Sequence, residues 1–382
     1  MKLDDVVNLD DLRWLAKKRL PKMVFDALDG GADDELSLRA NRTGFDQIRL
    51  RPRPFEDVAG RDHSTTVFGD RISMPVMLSP TGSGRLASPD AELTLARVVG
   101  EQGTLYAHST VASYSPEDVA ASASGPLWFQ LYLPPERDVA RDFIIRIKGA
   151  GYRALLLTVD TPVRGNRERD TRNRFSLPYK VTPHLIAQGL SRPGWSTRFL
   201  LNNVKPKSKR STYDRPKPVS LREVESQLIA ARWPATWKDL DFVREVWDGP
   251  LLAKGIMRPD ECEAMIEHGV DGVVVSNHGG RQLDGVGSSI EVLPEVVDAV
   301  AGRAEVYVDS GVRRGTDVLK AVALGARACF VGRPYIYGLA AGGEAGLNRM
   351  LDILREEIDR GLALLGCSSI ADLDRSFVSL PR

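Results

Sequence analysis

The chain has 382 residues, of which 42% are hydrophobic and 27% charged, a composition typical of folded globular proteins. Its 52 basic and 51 acidic side chains leave a net charge of +1, which excludes a general electrostatic attraction to nucleic acid. The three cysteines, Cys262, Cys329 and Cys367, form neither a disulfide framework nor a zinc motif, and we expect no metal. No apolar stretch reaches the ~18 residues of a membrane span, and the polar N-terminus lacks a secretory signal. We therefore expect a cytoplasmic protein.

Short apolar runs recur along the chain and have the length of buried parallel strands. A helical pattern follows most of them. The runs are Met74–Ser79, Thr104–Ala107, Leu127–Leu131, Ala154–Val159, Pro250–Ala253, Gly272–Val275, Glu305–Val308 and Ala328–Val331. Eightfold strand–helix alternation predicts an α/β fold of the (β/α)8 TIM-barrel type. We expect one domain over residues 1–382, with its core at about 70–345. A doubly wound open sheet is the alternative, but no G-x-G-x-x-G turn follows the first run.

Two segments lie outside the repeat. Leu9–Arg39 has helical periodicity and predicts an N-terminal helical extension that packs outside the barrel. A long insertion after the fourth strand, at about 178–235, contains the basic, proline-rich segment Val204–Pro218, VKPKSKRSTYDRPKP. That composition cannot bury a core and predicts an exposed, mobile loop. A helix is expected after Thr236, because Asp239 follows at near capping-box spacing.

Polar residues that could bind or react lie at or just after the end of every apolar run. They are Pro80-Thr81-Gly82, His108-Ser109, Gln130, Tyr132, Thr158, Asp160, Lys254, Asn277-His278, Asp309-Ser310 and Gly332-Arg333. Catalytic groups of TIM barrels lie at the C-terminal ends of the strands. The sequence therefore predicts an active site at this end of the barrel.

The densest of these stretches, Ser276–Asp284 (SNHGGRQLD), resembles the active-site signature of the FMN-dependent 2-hydroxy-acid oxidases and dehydrogenases. LPKMVFDALDGGADDE, WFQLY, LTVDTP, LLAKG, DSGVRRGTD and VGRP also occur in that family's order, so the resemblance covers nearly the whole chain. It implies an FMN cofactor and oxidation of a 2-hydroxy acid to the 2-oxo acid. The electrons would pass to a quinone, another carrier or O2. The resemblance also implies a homotetramer.

The same resemblance implies the catalytic roles. His278 would be the base, which suits an imidazole because its ordinary pKa is close to neutral pH. Asp160 would orient His278, and Tyr132 would hydrogen-bond the substrate oxygen. Arg167 and Arg281 would bind the substrate carboxylate, since guanidinium groups can do so in a bidentate manner. A structural histidine and a helix-capping aspartate are the alternative interpretation.

The resemblance also implies which residues bind the cofactor. Lys254 would lie beside flavin N1 and O2, where a fixed cation favours the reduced flavin; a Schiff-base lysine is the alternative. The phosphate would bind after the last two strands, through glycines and arginines, and Asp309 would contact the ribityl chain. The complete predicted cofactor set is Pro80, Thr81, Gly82, Ser109, Gln130, Thr158, Lys254, Ser276, Asp309, Ser310, Gly311, Arg313, Gly332 and Arg333.

Departures from the family pattern concern the substrate pocket. Phe25-Asp26-Ala27 stands where the family usually has Y-D-Y, and Val111 stands where glycolate oxidase has tryptophan. Both changes enlarge the pocket and predict a bulky or aromatic substrate. Gly82, where glycolate oxidase has alanine, indicates a slow reaction with oxygen. Two alternatives stay open: a relative that acts on an amine or a cyclic hydroxy compound, and a membrane-docked flavoprotein without turnover.

Apolar residues precede the basic segment: Leu185-Ile186, Trp195 and Phe199-Leu200. An apolar group beside a basic run suits the surface of an anionic bilayer. The sequence therefore allows peripheral contact with the inner face of the membrane through residues 204–218. A solvated mobile loop is the equally weighted alternative.

Overall fold

Eight parallel strands close into a barrel in the computed structural model, which describes residues 1–82, 84–175, 182–203 and 234–380. The barrel strands are β4 (Val76–Leu78), β5 (Tyr106–Ser109), β6 (Leu127–Leu131), β7 (Ala154–Thr158), β8 (Leu251–Ile256), β9 (Gly272–Val275), β10 (Glu305–Val308) and β11 (Ala328–Val331). Each pairs with its neighbour in chain order, and β11 pairs with β4 to close the ring. The predicted TIM barrel is confirmed, and every predicted run contributes a strand.

The strands are apolar on both faces because both faces are buried. Side chains that point inward fill the barrel, with Trp128 edge-on to Tyr307 at a ring-centroid distance of 5.5 Å. A short antiparallel hairpin, β2 (Thr65–Val67) and β3 (Asp70–Ile72), precedes the barrel, and Phe68 at its turn packs against Trp128. The barrel is therefore a packed core, and only its rim can form a site.

Most helices alternate with the barrel strands and cover their outer face, as the sequence predicts, and those between residues 178 and 235 belong to the insertion after β7. They are α4 (Ala91–Glu101), α5 (Pro116–Ala121), α6 (Arg137–Gly149), α7 (Glu168–Arg172), α8 (Pro183–Leu190), α9 (Pro193–Asn203), α10 (Trp237–Val246), α11 (Cys262–Glu267), α12 (Ser289–Val300), α13 (Gly315–Ala323), α14 (Arg333–Gly342) and α15 (Glu344–Leu365). The helix expected after Thr236 is α10. Its capping box is present, since the Thr236 backbone N–H donates to Asp239 Oδ2 at 2.7 Å.

The N-terminal extension forms α1 (Leu9–Arg19), α2 (Lys22–Asp29) and α3 (Leu36–Gln47), which lie outside the barrel as predicted. α1 packs against α14, and β1 (Arg49–Leu50) pairs with β12 (Val378–Ser379). The turn after α2 reaches the C-terminal end of the barrel, where the Ala32 backbone N–H donates to Gly280 O at 2.8 Å. The extension therefore contributes to that end of the barrel.

Part of the insertion after β7 forms the two helices α8 and α9, a feature that the sequence analysis did not predict. Trp195 of α9 donates its indole N–H to Leu86 O at 2.8 Å and stacks on Phe199 at 4.7 Å. The basic segment 204–218 lies outside the described residues. No helix in the described part of the chain is long and apolar enough to cross a membrane.

Candidate active site

A cavity of about 380 Å³ lies at the C-terminal end of the barrel. Every predicted site residue except Asp160 and Ser276 lines it: Ala27, Pro80, Thr81, Gly82, Ser109, Val111, Gln130, Tyr132, Thr158, Arg167, Lys254, His278, Arg281, Asp309, Ser310, Gly311, Arg313, Gly332 and Arg333. Asp160 and Ser276 lie directly behind the wall, where Asp160 is hydrogen-bonded to His278 and Ser276 to Lys254. A larger open groove, of about 1190 Å³, contains none of these residues. The residues predicted at the ends of the strands therefore lie together around a single cavity.

His278 follows β9 in the left-handed region, with φ of 59°. Its Nδ1 lies 3.0 and 3.2 Å from the two carboxylate oxygens of Asp160, at the end of β7. A carboxylate only accepts hydrogen bonds, so Nδ1 carries the hydrogen and Nε2 is left as an acceptor. Tyr132 Oη lies 3.5 Å from that Nε2. The arrangement can take a proton at Nε2 and stabilise the resulting imidazolium.

Tyr132 is held beside the histidine by its own backbone, whose N–H donates to Thr110 Oγ1 at 3.0 Å. Burial and the nearby charge of Asp160 raise the pKa of Tyr132 above its usual value, against the opposing charges of Arg167 and Arg281. Its phenol therefore stays neutral and can donate a hydrogen bond into the cavity.

Arg167 and Arg281 come from the loops after β7 and β9 and lie close enough to repel each other. Burial lowers the pKa of Arg167 to about 10, with a further contribution from the charge of Arg164. Burial and the charges of Arg167 and Arg333 lower the pKa of Arg281 well below its usual value. Arg167 Nε has no hydrogen-bond partner among the described residues. Such a pair is stabilised by an anion, so the cavity can bind a carboxylate.

Lys254, at the end of the barrel, forms a buried ion pair with Asp309, Nζ to Oδ2 at 2.8 Å. Its Nζ also donates to Ser276 Oγ at 2.9 Å, and this oxygen in turn accepts the His278 backbone N–H at 3.1 Å. Burial alone would raise the pKa of Asp309, but the charge and hydrogen bond of Lys254 keep it below its usual value. A fixed cation with a paired carboxylate is thus presented to the cavity.

A chain of side-chain hydrogen bonds fixes another part of the wall. Ser109 Oγ donates to Gln130 Oε1 at 3.0 Å, and Gln130 Nε2 donates to Thr158 Oγ1 at 2.9 Å. Ser109 and Thr158 are the last residues of β5 and β7 and Gln130 is the last but one of β6, so neighbouring strands orient one another's polar groups. These oriented amide and hydroxyl groups suit a planar polar ring such as a flavin.

The residues at the ends of β10 and β11 fit the phosphate of FMN. Burial and the charge of Arg333 lower the pKa of Arg313, and Arg333 Nε has no hydrogen-bond partner among the described residues. α14 begins at Arg333, so its N-terminus adds a favourable dipole. A Cβ added at Gly332 would come no closer than 3.4 Å to the protein, so internal packing does not require glycine there. The glycine instead leaves space for a ligand.

Three contributors were missed by sequence reasoning. The carbonyl of Gly30, at the end of α2, accepts from Arg281 Nη1 at 2.8 Å and from Arg333 Nη2 at 2.9 Å. Buried Asp170 accepts from Arg164 at 2.8 Å, and both line the cavity. The Gly30 contacts join segments distant in sequence through a backbone carbonyl, so no local pattern indicates them. Arg164 and Asp170 lie only six residues apart, but they belong to none of the motifs quoted from the sequence.

Comparison with known proteins gives the family. A family model described as FMN-dependent dehydrogenase matches residues 16–380. The chain is 39% identical to (S)-mandelate dehydrogenase of Pseudomonas putida, over 98% of this chain and 94% of that one. It is 40% identical to glycolate oxidase 3 of Arabidopsis thaliana, with coverages of 98% and 96%. A crystal structure of the monotopic membrane protein (S)-mandelate dehydrogenase superposes with a TM-score of 0.93, at 38% identity, covering 99% of this chain and 100% of that one. The chain therefore belongs to the FMN-dependent dehydrogenase family and is an FMN-dependent 2-hydroxy-acid dehydrogenase or oxidase.

Proposed function

We propose that this enzyme oxidises a 2-hydroxy acid with a bulky or aromatic side chain to the 2-oxo acid, with His278 as the base. The observation that carries the proposal is the composition of one cavity. It contains the His278–Tyr132 pair, the two buried arginines Arg167 and Arg281, and the small side chains of Ala27 and Val111. The first two features provide the chemistry and the last provides the space.

The substrate carboxylate binds Arg167 and Arg281. Both guanidinium groups are buried enough for burial to lower their pKa, so an anion between them relieves their repulsion. Arg281 is held by the carbonyl of Gly30, which fixes its direction before substrate binds. Binding in this manner places the hydroxyl-bearing carbon next to the carboxylate, in the part of the cavity that His278 lines.

Oxidation removes two electrons and two protons from the CH–OH group. His278 Nε2 takes one of these protons, Asp160 stabilises the imidazolium through Nδ1, and Tyr132 donates a hydrogen bond to the substrate oxygen. FMN, when bound, supplies the acceptor for the two electrons and for the second proton. Lys254 would lie next to the flavin and offset negative charge there. Pro80 to Gly82, Ser109, Gln130 and Thr158 would line the ring, and Gly311, Arg313, Gly332 and Arg333 would hold the phosphate.

The space for a bulky side chain comes from an apolar part of the wall. Leu28, Val163 and Phe175 are further apolar side chains that line the same cavity as Ala27 and Val111. An aryl group that covers these side chains gains roughly 25 cal/mol per Å² of apolar surface removed from water. A methyl group, as in lactate, buries far less, so we expect a lower kcat/KM for small acids.

A panel of 2-hydroxy acids tests this assignment. Mandelate and long-chain acids should show a higher kcat/KM than glycolate or lactate. Ala27→Tyr should shift the preference toward the small acids by about 10-fold or more, because a phenol hydrogen bond to a charged group contributes roughly 1.5–3 kcal/mol. Phe25→Tyr, on the same helix but outside the cavity lining, is the matched control and should leave the preference unchanged. A wild-type enzyme that prefers glycolate to every larger acid would overturn the proposal.

The same panel separates a second candidate. Amines or cyclic hydroxy compounds that reduce the enzyme faster than any 2-hydroxy acid would establish the modified-substrate alternative. The arginine pair favours a substrate that carries a carboxylate. The alternative of a flavoprotein without turnover has no support from the site, since the His278–Asp160 pair is assembled.

We further propose peripheral contact with an anionic membrane through residues 204–218 and the helices that precede them. Ile186 and Leu190 of α8 are 52% and 75% exposed, and the similar (S)-mandelate dehydrogenase is monotopic. Trp195 is half-buried and donates its indole N–H to Leu86 O, so it is less exposed than Ile186 and Leu190. Sedimentation with anionic liposomes at low and high salt tests the contact, and an enzyme that stays in the supernatant at low salt would exclude it. The predicted homotetramer can be measured by light scattering on the same samples.

A further inference from the structure

The loop after β5, residues 110–114, carries Val111 into the cavity. Val111 also lies directly against Gly82 of the loop after β4: a Cβ added to Gly82 would be 2.6 Å from Val111 Cγ2. Because Gly82 has no side chain, Val111 occupies the space that one would fill. The width of the cavity at this wall therefore depends on where the 110–114 loop is held.

Hydrogen bonds anchor this loop on both sides of Val111. Before it, Thr110 Oγ1 donates to Gln130 O at 2.6 Å. After it, the Ser113 backbone N–H donates to a carboxyl oxygen of Glu92 at 3.2 Å, and Tyr114 Oη donates to Asp90 Oδ1 at 2.7 Å. Asp90 is the residue that directly precedes α4, and Glu92 lies in its first turn. The beginning of one helix thus sets the position of the loop that follows the next strand.

Glu92 is an unusual anchor because it is fully buried. Burial raises the pKa of Glu92, and its backbone hydrogen bonds and the charge of Arg85 offset only part of this effect. The other titratable groups near it are Tyr106, Tyr114 and Tyr335, all neutral phenols whose pKa is raised by burial. An acid side chain in such surroundings is costly, and a function in fixing the loop would account for it.

We propose that Glu92 is a positioning residue for substrate selectivity, which holds the 110–114 loop so that Val111 leaves room for a bulky substrate side chain. This proposal rests on the proposed function, which assigns the pocket to a bulky substrate side chain. Glu92 does not line the cavity, so it acts on the substrate through Val111 alone. Its role requires an oxygen that accepts the Ser113 N–H, and an amide oxygen meets that requirement as well as a carboxyl.

The test compares Glu92→Gln, Glu92→Leu and the control Glu101→Gln, at the exposed end of the same helix. The readout is the ratio of kcat/KM for mandelate to kcat/KM for lactate in the FMN-loaded enzyme. Glu92→Leu should lower the ratio by about 10-fold, the low end of the effect of a methylene-sized misfit in a hydrophobic pocket. The change should appear in the KM for mandelate, while kcat for lactate stays within about twofold. Glu92→Gln and Glu101→Gln should keep the wild-type ratio.

Tyr114→Phe removes the second anchor without touching Glu92, and it decides the question if Glu92→Leu does not fold. Like Glu92→Leu, Tyr114→Phe should lower the mandelate-to-lactate ratio of kcat/KM, by about threefold. A wild-type ratio in Tyr114→Phe and in a folded Glu92→Leu would overturn the inference, and so would a Glu92→Gln enzyme that behaves like Glu92→Leu. A wild-type enzyme that prefers lactate would contradict the proposed function instead, since the inference concerns only the change in the ratio.

Discussion

Asp160→Asn is the substitution that most sharply tests the His278 arrangement. In the wild type both Asp160 oxygens lie within 3.2 Å of Nδ1, so either can accept its hydrogen. An asparagine amide can present either its oxygen or its NH₂ to the same atom. If the NH₂ faces Nδ1, the hydrogen moves to Nε2 and the histidine can no longer take a proton there.

Two effects set the expected magnitude. Loss of the carboxylate removes a hydrogen bond to a charged group, worth roughly 1.5–3 kcal/mol when the imidazolium forms. This alone corresponds to about 10- to 150-fold in rate. Where the amide also selects the wrong tautomer, the full contribution of a general base is lost, about 10²–10⁴-fold. We therefore expect flavin reduction to slow by about 10²–10⁴-fold.

Anaerobic stopped-flow absorbance of bound FMN, mixed with mandelate, measures this step directly. Asp241→Asn is the matched control, because Asp241 accepts from His268 Nδ1 in a similar pair outside the cavity lining. The control should reduce at the wild-type rate, and both variants should retain FMN. An Asp160→Asn enzyme that reduces within about threefold of wild type would refute the role of Asp160.

Three further outcomes follow from charged groups in and near the site. Arg281→Met should raise the KM by about 10-fold or more through loss of a bidentate carboxylate contact, as steady-state kinetics would show. Lys254→Met should leave Asp309 buried and unpaired and lower the free energy of unfolding by about 3–5 kcal/mol, as measured by urea denaturation. Burial alone would raise the pKa of Asp29, but its hydrogen bond with Arg13 contributes to lowering it to about 2. Its stabilising contribution is therefore complete above the unfolded pKa of ~3.9 and lost as the pH falls toward 2, and Asp29→Asn should flatten the Tm profile over that range.

The barrel could be predicted from the sequence because each strand is buried on both faces. Runs such as Gly272–Val275 and Ala328–Val331 are apolar throughout, and their limits agree with β9 and β11 residue for residue. The first two runs begin two residues before the strands, because Met74 and Thr104 are buried without pairing in the barrel. The β2–β3 hairpin and the β1–β12 pair escaped prediction because they are two or three residues long.

The part of the cavity that could be predicted is the part formed by single residues at the ends of strands. His278, Lys254 and Asp309 each follow an apolar run, and the topology alone brings them together. Gly30 and Glu92 could not be found in this way. One contributes a backbone carbonyl from outside the barrel, and the other acts from a helix through a neighbouring loop.

We have proposed that this chain oxidises a 2-hydroxy acid with His278 as the base. The most direct test is anaerobic reduction of bound FMN by mandelate in the wild type and in His278→Ala. We predict rapid bleaching of the wild-type flavin and retention of FMN in the variant, with reduction about 10²–10⁴-fold slower. Equal rates of bleaching in the two proteins, or no reduction of the wild type by any 2-hydroxy acid, would contradict the account.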